Sequence, residues 1–374
     1  MTFTPSEQVA AFLYLNSNVT VTKGNADYFI SNLEPMRADW PRRDFTQCHI
    51  LANAYQTLAA AYFCKGDHGK AVTLLEDGIA EVIQLSEHSY KILGGLHHYL
   101  GHVHVCAGND ADALANFREF VFYSVISHTH YNVREFYSFR SVSKFSLKDL
   151  EQSTITMADP DTFNDVVDCL ITPWMWAQSQ DLKKPEEIKE AELLQEAWSY
   201  VRIRCFACNK PLPTMENPTP KPYTDREEYS NTLMWSHYAN MHQGFCIRYQ
   251  FPATLTHEDL GNKQVLVMGE VQYVDNVSMA SETFTLQKAF FTKSKDWSYE
   301  HEKRLLYYDL ADTPQYNEVS VPEDSVTDIY FGVRCPEKDR QSIIAALKGK
   351  NVKYHQMVVD LNDIYRLLAR DYNP

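Results

Sequence analysis

Apolar residues recur every three or four positions through the first third of the chain, a spacing that predicts amphipathic helices. We predict helices over residues 6–16 and 26–37, followed by two helical hairpins. Turn signals separate the paired helices at residues 65–67 (Lys-Gly-Asp) and 108–110 (Gly-Asn-Asp). We therefore expect the N-terminal part of the chain to be all α-helical.

The two hairpins carry small residues at matching intervals. Ala59 and Ala71 are twelve residues apart, and so are Gly101 and Ala113. Small residues at such positions let neighbouring helices approach closely while larger residues interlock. The pattern resembles tetratricopeptide repeats, although Ala59 and Gly101 are 42 residues apart instead of the usual ~34. The alternative is a pair of unrelated helical hairpins. The other residues at repeat positions are Tyr55, Leu58, Tyr62, Leu75, Gly78, His97, Leu100, His104 and Phe117.

From about residue 131 the pattern changes to short runs of β-favouring residues. Predicted strands cover residues 134–142, 154–158, 200–207, 244–251, 265–274, 304–309, 326–331 and 352–359. Predicted helices cover residues 147–152, 185–197, 232–241, 285–290 and 337–348. Because strands and helices do not alternate steadily, we predict an α+β domain with a mixed or antiparallel sheet. The expected domains are a helical-repeat domain at residues 1–130 and an α+β domain at residues 131–374.

Charge and composition narrow the classes of function. The formal net charge of −14 disfavours broad nucleic-acid binding, because an acidic surface repels phosphate backbones. No uncharged apolar run reaches the ~18 residues that a membrane-spanning helix needs. Residues 1–10 lack the features of a secretory signal, and the eight cysteines are scattered as in reduced cytosolic proteins. We expect a cytoplasmic protein with no membrane partner.

The most informative polar segment covers residues 231–249, which predict a short helix, a stop at Gly244 and a strand. Trp235, His237 and Tyr238 place three hydrogen-bonding side chains within one helical turn. These residues are candidates for a binding or catalytic site. The alternative is that Trp235 and Tyr238 anchor the core and that His237 binds a buried carbonyl group.

A second segment combines Arg140 and Ser141 with Asn164 and Asp165 further along the chain. Arg140 lies in an apolar strand, where a guanidinium group is costly unless it meets a carboxylate or a phosphate. The alternative role of Asn164 and Asp165 is structural, because the pair is a good turn or N-cap signature.

The third segment contains Lys293, Glu300, Glu302 and Arg304 at the start of a predicted strand. If the strand begins near Glu300, the two glutamates and Arg304 project to one face. Two carboxylates on one face repel each other, which raises one pKa toward the range of a general base, while Arg304 opposes that shift. The alternative is a solvated, charged edge strand.

These three segments, in their order along the chain, resemble an uncharacterised bacterial family of domains of unknown function over residues 131–365. The motifs that carry the resemblance are Met-Trp-Ser-His-Tyr-Ala at residues 234–239, Phe-Arg-Ser at residues 139–141 and Trp-x-Tyr-Glu-x-Glu at residues 297–302. The chain departs from the family pattern at Val166 and Val167 (proline and phenylalanine in the family), Lys303 (an aromatic residue) and Ala207 (serine).

The order of the segments is also similar to the R…E-x-E layout of ADP-ribosyltransferases. Arg140 would lie on the first strand, residues 154–158 would form the second, and Glu300 and Glu302 would open a late strand. The Ser-Thr-Ser triplet that the layout places on the second strand is only approximated by residues 153–156. This is a likeness of arrangement, from which a hypothesis about function follows.

The resemblance implies a role for each residue and names NAD as the candidate cofactor. Arg140 would hold the phosphates or ribose of NAD, and Glu302 would bind a ribose hydroxyl and stabilise an oxocarbenium-like transition state. Glu300 would orient or deprotonate the acceptor, and Tyr238 or Trp235 would stack on the nicotinamide ring.

The sequence leaves three functions open. The first is a helical-repeat sensor or docking module fused to a ligand-binding domain, with the latter an ADP-ribosyltransferase-like effector that takes a small-molecule nucleotide. The second is a non-enzymatic adaptor whose hairpins hold a protein or peptide partner. The third is a hydrolase or nuclease that uses Glu300, Glu302, Asp165 and His237. The candidate catalytic residues are Glu302, Glu300, His237 and Arg140, and the candidate substrate-binding residues are Ser141, Asn164, Asp165, Trp235, Tyr238, Lys293 and Arg304.

Metal binding has the least support in the sequence. Cys205 and Cys208 have the spacing of half a zinc site, but no second Cys-x-x-Cys or His-x-x-x-His pair follows at a standard distance. Strand alternation also points the two thiols to opposite faces. We therefore predict buried thiols and no metal site.

Overall fold

The chain forms two compact units, which we call the helical unit and the sheet unit. The computed structural model describes residues 5–40, 47–86, 88–127, 135–165, 167–169, 172–180, 182–211, 217, 221–224, 226–251, 257–259, 262–276, 285–311 and 317–374. The helical unit comprises Met1–Ser127 and Thr172–Ser199, and the sheet unit comprises His128–Ile171 and Tyr200–Pro374. Residues 172–199, which the sequence division at residue 130 assigns to the second domain, thus cluster with the helical unit.

Helices and strands alternate irregularly along the described residues. The helices are α1 (Pro5–Leu15), α2 (Ala26–Leu33), α3 (Cys48–Cys64), α4 (His68–Leu85), α5 (Tyr90–Cys106), α6 (Asp110–Ile126), α7 (Lys144–Gln152), α8 (Pro173–Ser179), α9 (Pro185–Trp198), α10 (Thr232–Tyr238), α11 (Leu286–Phe291) and α12 (Glu337–Ala346). The strands are β1 (Glu135–Arg140), β2 (Thr154–Met157), β3 (Arg202–Ala207), β4 (Phe245–Gln250), β5 (His257–Asp259), β6 (Gln264–Glu270), β7 (Gln272–Val274), β8 (Thr292–Ser294), β9 (Glu302–Asp309), β10 (Asn317–Ser320), β11 (Val326–Phe331), β12 (Lys353–Asp360) and β13 (Asp363–Asp371). None of the helices described is long and apolar enough to cross a membrane.

The helical N-terminal part is confirmed, with α3 and α4 forming one hairpin and α5 and α6 the next. Gly66 and Gly108 adopt φ values of +84° and +76° in the two turns, a left-handed conformation that glycine adopts at little cost. Asp67 then caps α4, because its side chain accepts a 3.0 Å hydrogen bond from the backbone N–H of Lys70. The predicted turn signals therefore end one helix and begin the next.

Two glycines mark where the paired helices approach most closely. A Cβ atom on Gly78 would lie 2.8 Å from the ring of Tyr55, and one on Gly101 would lie 2.5 Å from the ring of Phe117. Each glycine thus leaves room for an aromatic ring of the partner helix. The contacts agree with the small-residue pattern, while the assignment of these hairpins to the tetratricopeptide class stays a prediction.

Helix α9 joins the helical unit through polar contacts with α5 and α6. The carboxylate of Glu190 lies 2.7 Å from Nδ1 of His102 and 3.3 Å from Nε2 of His98, both on α5. Lys189 forms a 3.0 Å ion pair with Asp110 at the start of α6. These contacts, with the packing of α8 against α9, explain why residues 172–199 belong to this unit.

The sheet unit is built on a sheet whose described strands follow the order β13-β12-β11-β4-β1-β3-β9-β6-β5. Strands β11 and β12 are parallel, and the other neighbours in this sheet are antiparallel. The predicted α+β class with a mixed sheet is therefore confirmed. Two further pairs lie outside this sheet, β10 with β2 and β7 with β8.

Several element boundaries differ from the sequence predictions. Strand β2 pairs with β10 and not within the main sheet, so it is not the second strand beside Arg140. The helix predicted over residues 232–241 ends at Tyr238, because Asn240, Met241 and His242 take left-handed conformations. Residue 134, the predicted start of the first strand, lies outside the described residues.

The sheet opens between β1 and β3, and this opening creates the candidate site. These two strands pair at one described position only, Tyr137 with Ala207. Continued pairing would set Arg140 opposite Arg204, but β3 instead pairs at Ile203 with Ala158. On its other edge β1 pairs with β4 along its whole length. Side chains of β1 and β3 can therefore line a cleft that reaches both faces of the sheet.

Candidate active site

A cavity of about 380 Å³ lies at the opening between β1 and β3. Its walls include residues of β1, β3, α10, β8 and the start of β9. The volume falls within the ~300–1,000 Å³ range of small-molecule sites. Among the residues that line the cavity are eight that the sequence analysis selects, namely Arg140, Ser141, Asn164, His237, Tyr238, Lys293, Glu300 and Glu302. Three distant segments of the chain therefore meet around one space.

Three other selected residues are not among those that line the cavity. Trp235 is fully buried, and its indole N–H donates a 2.7 Å hydrogen bond to the carbonyl of Tyr229, so its ring is a core anchor and not a stacking surface. Asp165 accepts a hydrogen bond from the backbone N–H of Val167 and shapes a turn. Arg304 is completely buried behind the cavity wall. Each of these three supports the local structure around the site.

The chemical centre of the cavity is the ammonium group of Lys293. Its Nζ lies 2.7 Å from Oε2 of Glu300, 3.1 Å from Oε2 of Glu302 and 3.2 Å from Oδ2 of Asp168. It also lies 4.9 Å from the centre of the Trp297 ring, a favourable cation–π position. One buried cation thus balances part of the charge of three carboxylates.

The left-handed backbone conformation of His301 brings the two glutamates together. A strand that begins near Glu300 would project Glu300 and Glu302 to one face, but β9 begins only at Glu302. Glu300 instead ends a 3₁₀ turn over Lys295–Glu300, and His301 follows it with a φ of +45°. The chain reverses locally at His301, so both carboxylates reach Lys293 without lying on the same strand.

Arg304 holds Glu302 and Asp168 from behind. Its Nε donates a 2.7 Å hydrogen bond to Oε1 of Glu302, and its Nη2 donates to both oxygens of Asp168 at 2.7 Å. Its Nη1 donates to the carbonyl of Phe290 at 2.7 Å. Charge-assisted bonds of this kind are strong and directional, and they fix the position of both carboxylates.

The two glutamates titrate differently because their neighbours differ. Burial and the charge of Glu302 raise the pKa of Glu300 to about 7, although Lys293 and Tyr238 oppose the shift. Burial also acts to raise the pKa of Glu302, but Arg304 and Lys293 outweigh it and hold that pKa well below the usual range. Near neutral pH, Glu302 is therefore a permanent anion, while Glu300 can accept or donate a proton.

Tyr238 connects α10 to this cluster. Its hydroxyl donates a hydrogen bond to Oε1 of Glu300. Burial and the charge of Glu300 raise the pKa of Tyr238 above its ordinary value, so the phenol keeps its proton and remains a donor. His237, one residue before, is exposed at the edge of the cavity, with its ring 5.8 Å from that of Trp297 and 6.2 Å from that of Tyr299. Tyr238 thus contacts Glu300 directly, whereas His237 lies at the rim of the cavity.

Two arginines line the wall formed by β1 and β3. Arg140 donates from Nη1 to the buried carboxylate of Asp149. The structure therefore contains a carboxylate partner of the kind that the sequence predicts for Arg140. Thr156 fixes Asp149 through a 2.7 Å hydrogen bond to Oδ1. Arg204 donates from Nη2 to Oγ of Ser138 at 2.6 Å. We call Arg140 and Arg204 the arginine wall, which offers hydrogen-bond donors, and Glu300, Glu302 and Asp168 the carboxylate cluster, which offers acceptors.

Three residues of the site are not predicted from the sequence: Arg204, Ser138 and Asp168. Asp168 follows Val167 directly, and nothing in the sequence shows that it reaches Lys293. Arg204 had a detectable signal, because an arginine inside the buried run Arg-Ile-Arg-Cys-Phe-Ala at residues 202–207 needs a partner. Ser138 offers no signal, since its role depends on where β3 diverges from β1.

Of the two thiols predicted to be buried, Cys208 is buried, whereas Cys205 is half-buried and lines the cavity. Burial raises the pKa of Cys205 well above its ordinary value, and it also raises that of Cys208. Thiolates, which are the form that binds zinc, are therefore disfavoured. In the part of the chain that the structure describes, no group of three or more His, Cys, Asp and Glu residues could hold a metal ion.

Comparison with known proteins adds a family match over part of the sheet unit. Residues 234–305 match the family model described as "Protein of unknown function (DUF2971)". Searches of curated proteins and of solved structures give no match. The matched segment begins at Met234 and extends through the carboxylate cluster to Leu305, so it includes His237, Tyr238 and Lys293. The region of this chain that is similar to the family of unknown function therefore carries one side of the cavity.

Proposed function

We propose that the sheet unit is an NAD-dependent ADP-ribosyltransferase-like enzyme and that the helical unit docks its protein partner. The observation that carries the proposal is the arrangement of charge around one cavity. A permanently ionised Glu302 and a titratable Glu300 share Lys293, and Arg140 lines the same cavity. This combination supports binding of a phosphorylated ribose ligand together with acid–base chemistry.

The residues fit the parts of NAD by their chemistry. Arginine suits the diphosphate, because its planar fork donates two hydrogen bonds to phosphate oxygens. An ionised carboxylate suits the ribose next to nicotinamide, because it accepts hydrogen bonds from the hydroxyls. The cavity supplies both groups, with Arg140 on β1 and Glu302 at the start of β9.

In the proposed reaction the bond between the ribose C1′ and the nicotinamide nitrogen breaks, and nicotinamide leaves with the bonding electron pair. Glu302 stabilises the positive charge that develops on the ribose, because a fixed anion in a buried site interacts strongly with it. A nucleophile of the acceptor then forms a new bond to C1′, and Glu300 takes the proton that the nucleophile loses. Tyr238 and Lys293 hold Glu300 in position through their hydrogen bonds to its two oxygens.

Release of nicotinamide from NAD by the full chain tests the proposal. Glu302→Gln keeps the shape of the side chain and removes its charge, so we expect the rate to fall by about 100-fold or more. Glu300→Gln should reduce transfer to an acceptor more than it reduces cleavage of NAD. Glu323→Gln, which changes an exposed glutamate outside the cavity, should leave the rate unchanged.

The melting temperature of each variant shows whether it is folded. A folded Glu302→Gln protein that releases nicotinamide at the normal rate would remove the proposed mechanism. If NAD produces no nicotinamide and does not change the melting temperature, while a partner still binds the helical unit, the adaptor function replaces the enzyme.

A further inference from the structure

The two arginines at the cavity wall are unequally neutralised. Arg140 is bonded to Asp149, whereas among the described residues Arg204 has a single hydrogen-bond partner, the neutral hydroxyl of Ser138. The Nε atom of Arg204 is buried and has no hydrogen-bond partner in the described part of the chain. A guanidinium group has five N–H donors, so Arg204 retains donors that the protein does not use.

Arg204 is also repelled by the positive charge of Arg140. It lies on β3 at the place that continued pairing would set opposite Arg140 on β1. Burial and the nearby charge of Arg140 lower the pKa of Arg204 to about 10. It remains charged at neutral pH, and one carboxylate, that of Asp149, serves two neighbouring cations. Arg204 is half-buried, and a charge that is partly removed from water and shares its counterion is costly, so an anion in the cavity would stabilise it.

We propose that Arg204 and Arg140 form a subsite for the diphosphate group of a nucleotide, with Arg204 as its principal ligand. The opening between β1 and β3 gives an anion access to the donors of both side chains, and both arginines line the cavity. Two adjacent guanidinium groups match two linked phosphates, whereas a single carboxylate on a ligand would neutralise only one. The choice of a diphosphate over other anions rests on the proposed function.

Ser138 is the positioning residue of this subsite. Its side chain is buried, and its hydroxyl accepts the 2.6 Å hydrogen bond from Nη2 of Arg204. The bond spans the opening between the strands and fixes the direction of the guanidinium plane. A ligand therefore meets Arg204 in one orientation.

Calorimetric titration of the full chain with inorganic pyrophosphate, and separately with ADP-ribose, tests the subsite. The unmodified chain should bind one equivalent of each, and inorganic phosphate should bind more weakly than pyrophosphate. Arg204→Gln should weaken pyrophosphate binding by tenfold or more, and Arg204→Lys should weaken it less, because lysine keeps the charge but loses the planar fork. Arg226→Gln, which removes the same charge from an exposed position outside the cavity, should bind pyrophosphate normally.

A second variant covers the case in which Arg204→Gln does not fold. Ser138→Ala removes only the hydroxyl that orients Arg204, and it should weaken pyrophosphate binding severalfold while the melting temperature stays close to normal. The inference is overturned if the unmodified chain binds neither pyrophosphate nor ADP-ribose, or if Arg204 and Ser138 variants that fold bind both normally.

The two proposals can fail separately. If pyrophosphate binds through Arg204 but NAD yields no nicotinamide, the anion subsite stands and the transferase function falls. If nicotinamide is released and requires Glu302, but affinity for ADP-ribose does not depend on Arg204, the enzyme stands and the subsite is wrong.

Discussion

Neighbouring residues of one type have different properties in this site because their surroundings differ. Glu300 and Glu302 are separated by one residue, and both contact Lys293. Glu302 also accepts a hydrogen bond from the charged guanidinium group of Arg304, whereas Glu300 accepts one from the neutral hydroxyl of Tyr238. Glu302 is consequently held as an anion, and Glu300 can titrate near neutral pH. This division of roles is the basis of the proposed chemistry.

Replacing Lys293 by methionine should destabilise the sheet unit, and more at high pH than at low pH. The change leaves the buried carboxylates without their shared cation, which we expect to cost about 3–5 kcal/mol at pH 8. The pKa of Glu300, already about 7, rises further in the folded variant. Part of the lost stability therefore returns as the pH falls from the higher pKa of the variant toward 7, where Glu300 is protonated in the variant but still ionised in the unmodified chain.

Chemical denaturation between pH 5 and pH 8 measures this dependence. Lys295→Met is the matched control, because Lys295 has the same charge two residues away but a side chain that is 65% exposed. The control should change stability by less than about 1 kcal/mol at every pH. Equal destabilisation of the Lys293 variant at both ends of the pH range would show that the carboxylates do not depend on its charge.

Much of the candidate site could be predicted from residue types alone. Arg140 carries a costly charge inside an apolar segment and needs a partner, and Glu300 and Glu302 crowd two carboxylates at the start of a predicted strand. The structure brings them to one cavity. The sequence could not indicate that Glu300 reaches the cavity through a left-handed His301, because histidine is uncommon in that conformation. Nor could it assign Trp235, whose size suits a stacking surface and a core equally well.

At the scale of secondary structure, close helix packing in the helical unit depends on glycine. Gly101→Ala would place a methyl group 2.5 Å from the ring of Phe117, and the resulting strain should destabilise the unit by about 1–3 kcal/mol. Gly95→Ala lies on the same helix, α5, with a nearest contact of 3.7 Å to Gln56. It should be neutral or should stabilise the helix by about 0.5–1 kcal/mol, because alanine favours helices.

Thermal unfolding followed by circular dichroism compares the two glycine variants. The melting temperature should fall for Gly101→Ala and should remain the same or rise for Gly95→Ala. A Gly101→Ala protein as stable as the unmodified chain would mean that the hairpin tolerates a wider separation between α5 and α6. The close packing would then not be a requirement of the fold.

Local pattern predicted most elements, and long-range pairing decided the exceptions. The hairpins and strands β3, β4, β6, β9, β11 and β12 are close to their predicted places because their periodicity is strong. Strand β2 was predicted as a strand but pairs with β10 instead of entering the main sheet. The sequence predicts no strand at β5, β8, β10 or β13, although β13 pairs with β12 along most of its length. Pairing partners depend on the whole chain, so a local pattern does not identify them.

At the scale of the whole molecule, the chain passes from the sheet unit to the helical unit and back. It leaves the sheet unit after Asp168, which binds Lys293 and Arg304, and returns shortly before Arg204 on β3. The intervening segment is part of the helical unit, where Glu190 meets His98 and His102. Two residues of the candidate site therefore flank, in sequence, a segment that belongs to the other unit.

The contact between Glu190 and His102 should stabilise the helical unit most between about pH 4.5 and pH 6.5. The hydrogen bond to Glu190 raises the pKa of His102 above 6.5. Burial opposes ionisation of Glu190, but the two histidines lower its pKa from 4.5 to about 2. The carboxylate contribution is complete above pH 4.5 and is lost toward pH 2, and the histidine contribution is complete below pH 6.5 and is lost at higher pH.

Glu190→Gln should therefore cost about 1 kcal/mol within that window and less at pH 8. Glu192→Gln is a control on the same helix, because Glu192 is half exposed and contacts only Lys189 at 3.9 Å among the ion pairs described. Protection of α9 against hydrogen exchange at pH 5.5 and pH 8 measures the effect. Equal protection of the two variants at pH 5.5 would rule out a stabilising role for the histidine contact.

The claim on which the function depends is that the arginine wall and the carboxylate cluster serve one ligand. A crystal structure of the full chain with ADP-ribose tests it most directly. We expect the diphosphate within hydrogen-bond distance of Arg140 and Arg204, and the terminal ribose against Glu302 and Glu300. ADP-ribose bound outside the opening between β1 and β3, or bound there with its ribose directed away from both glutamates, would contradict the account.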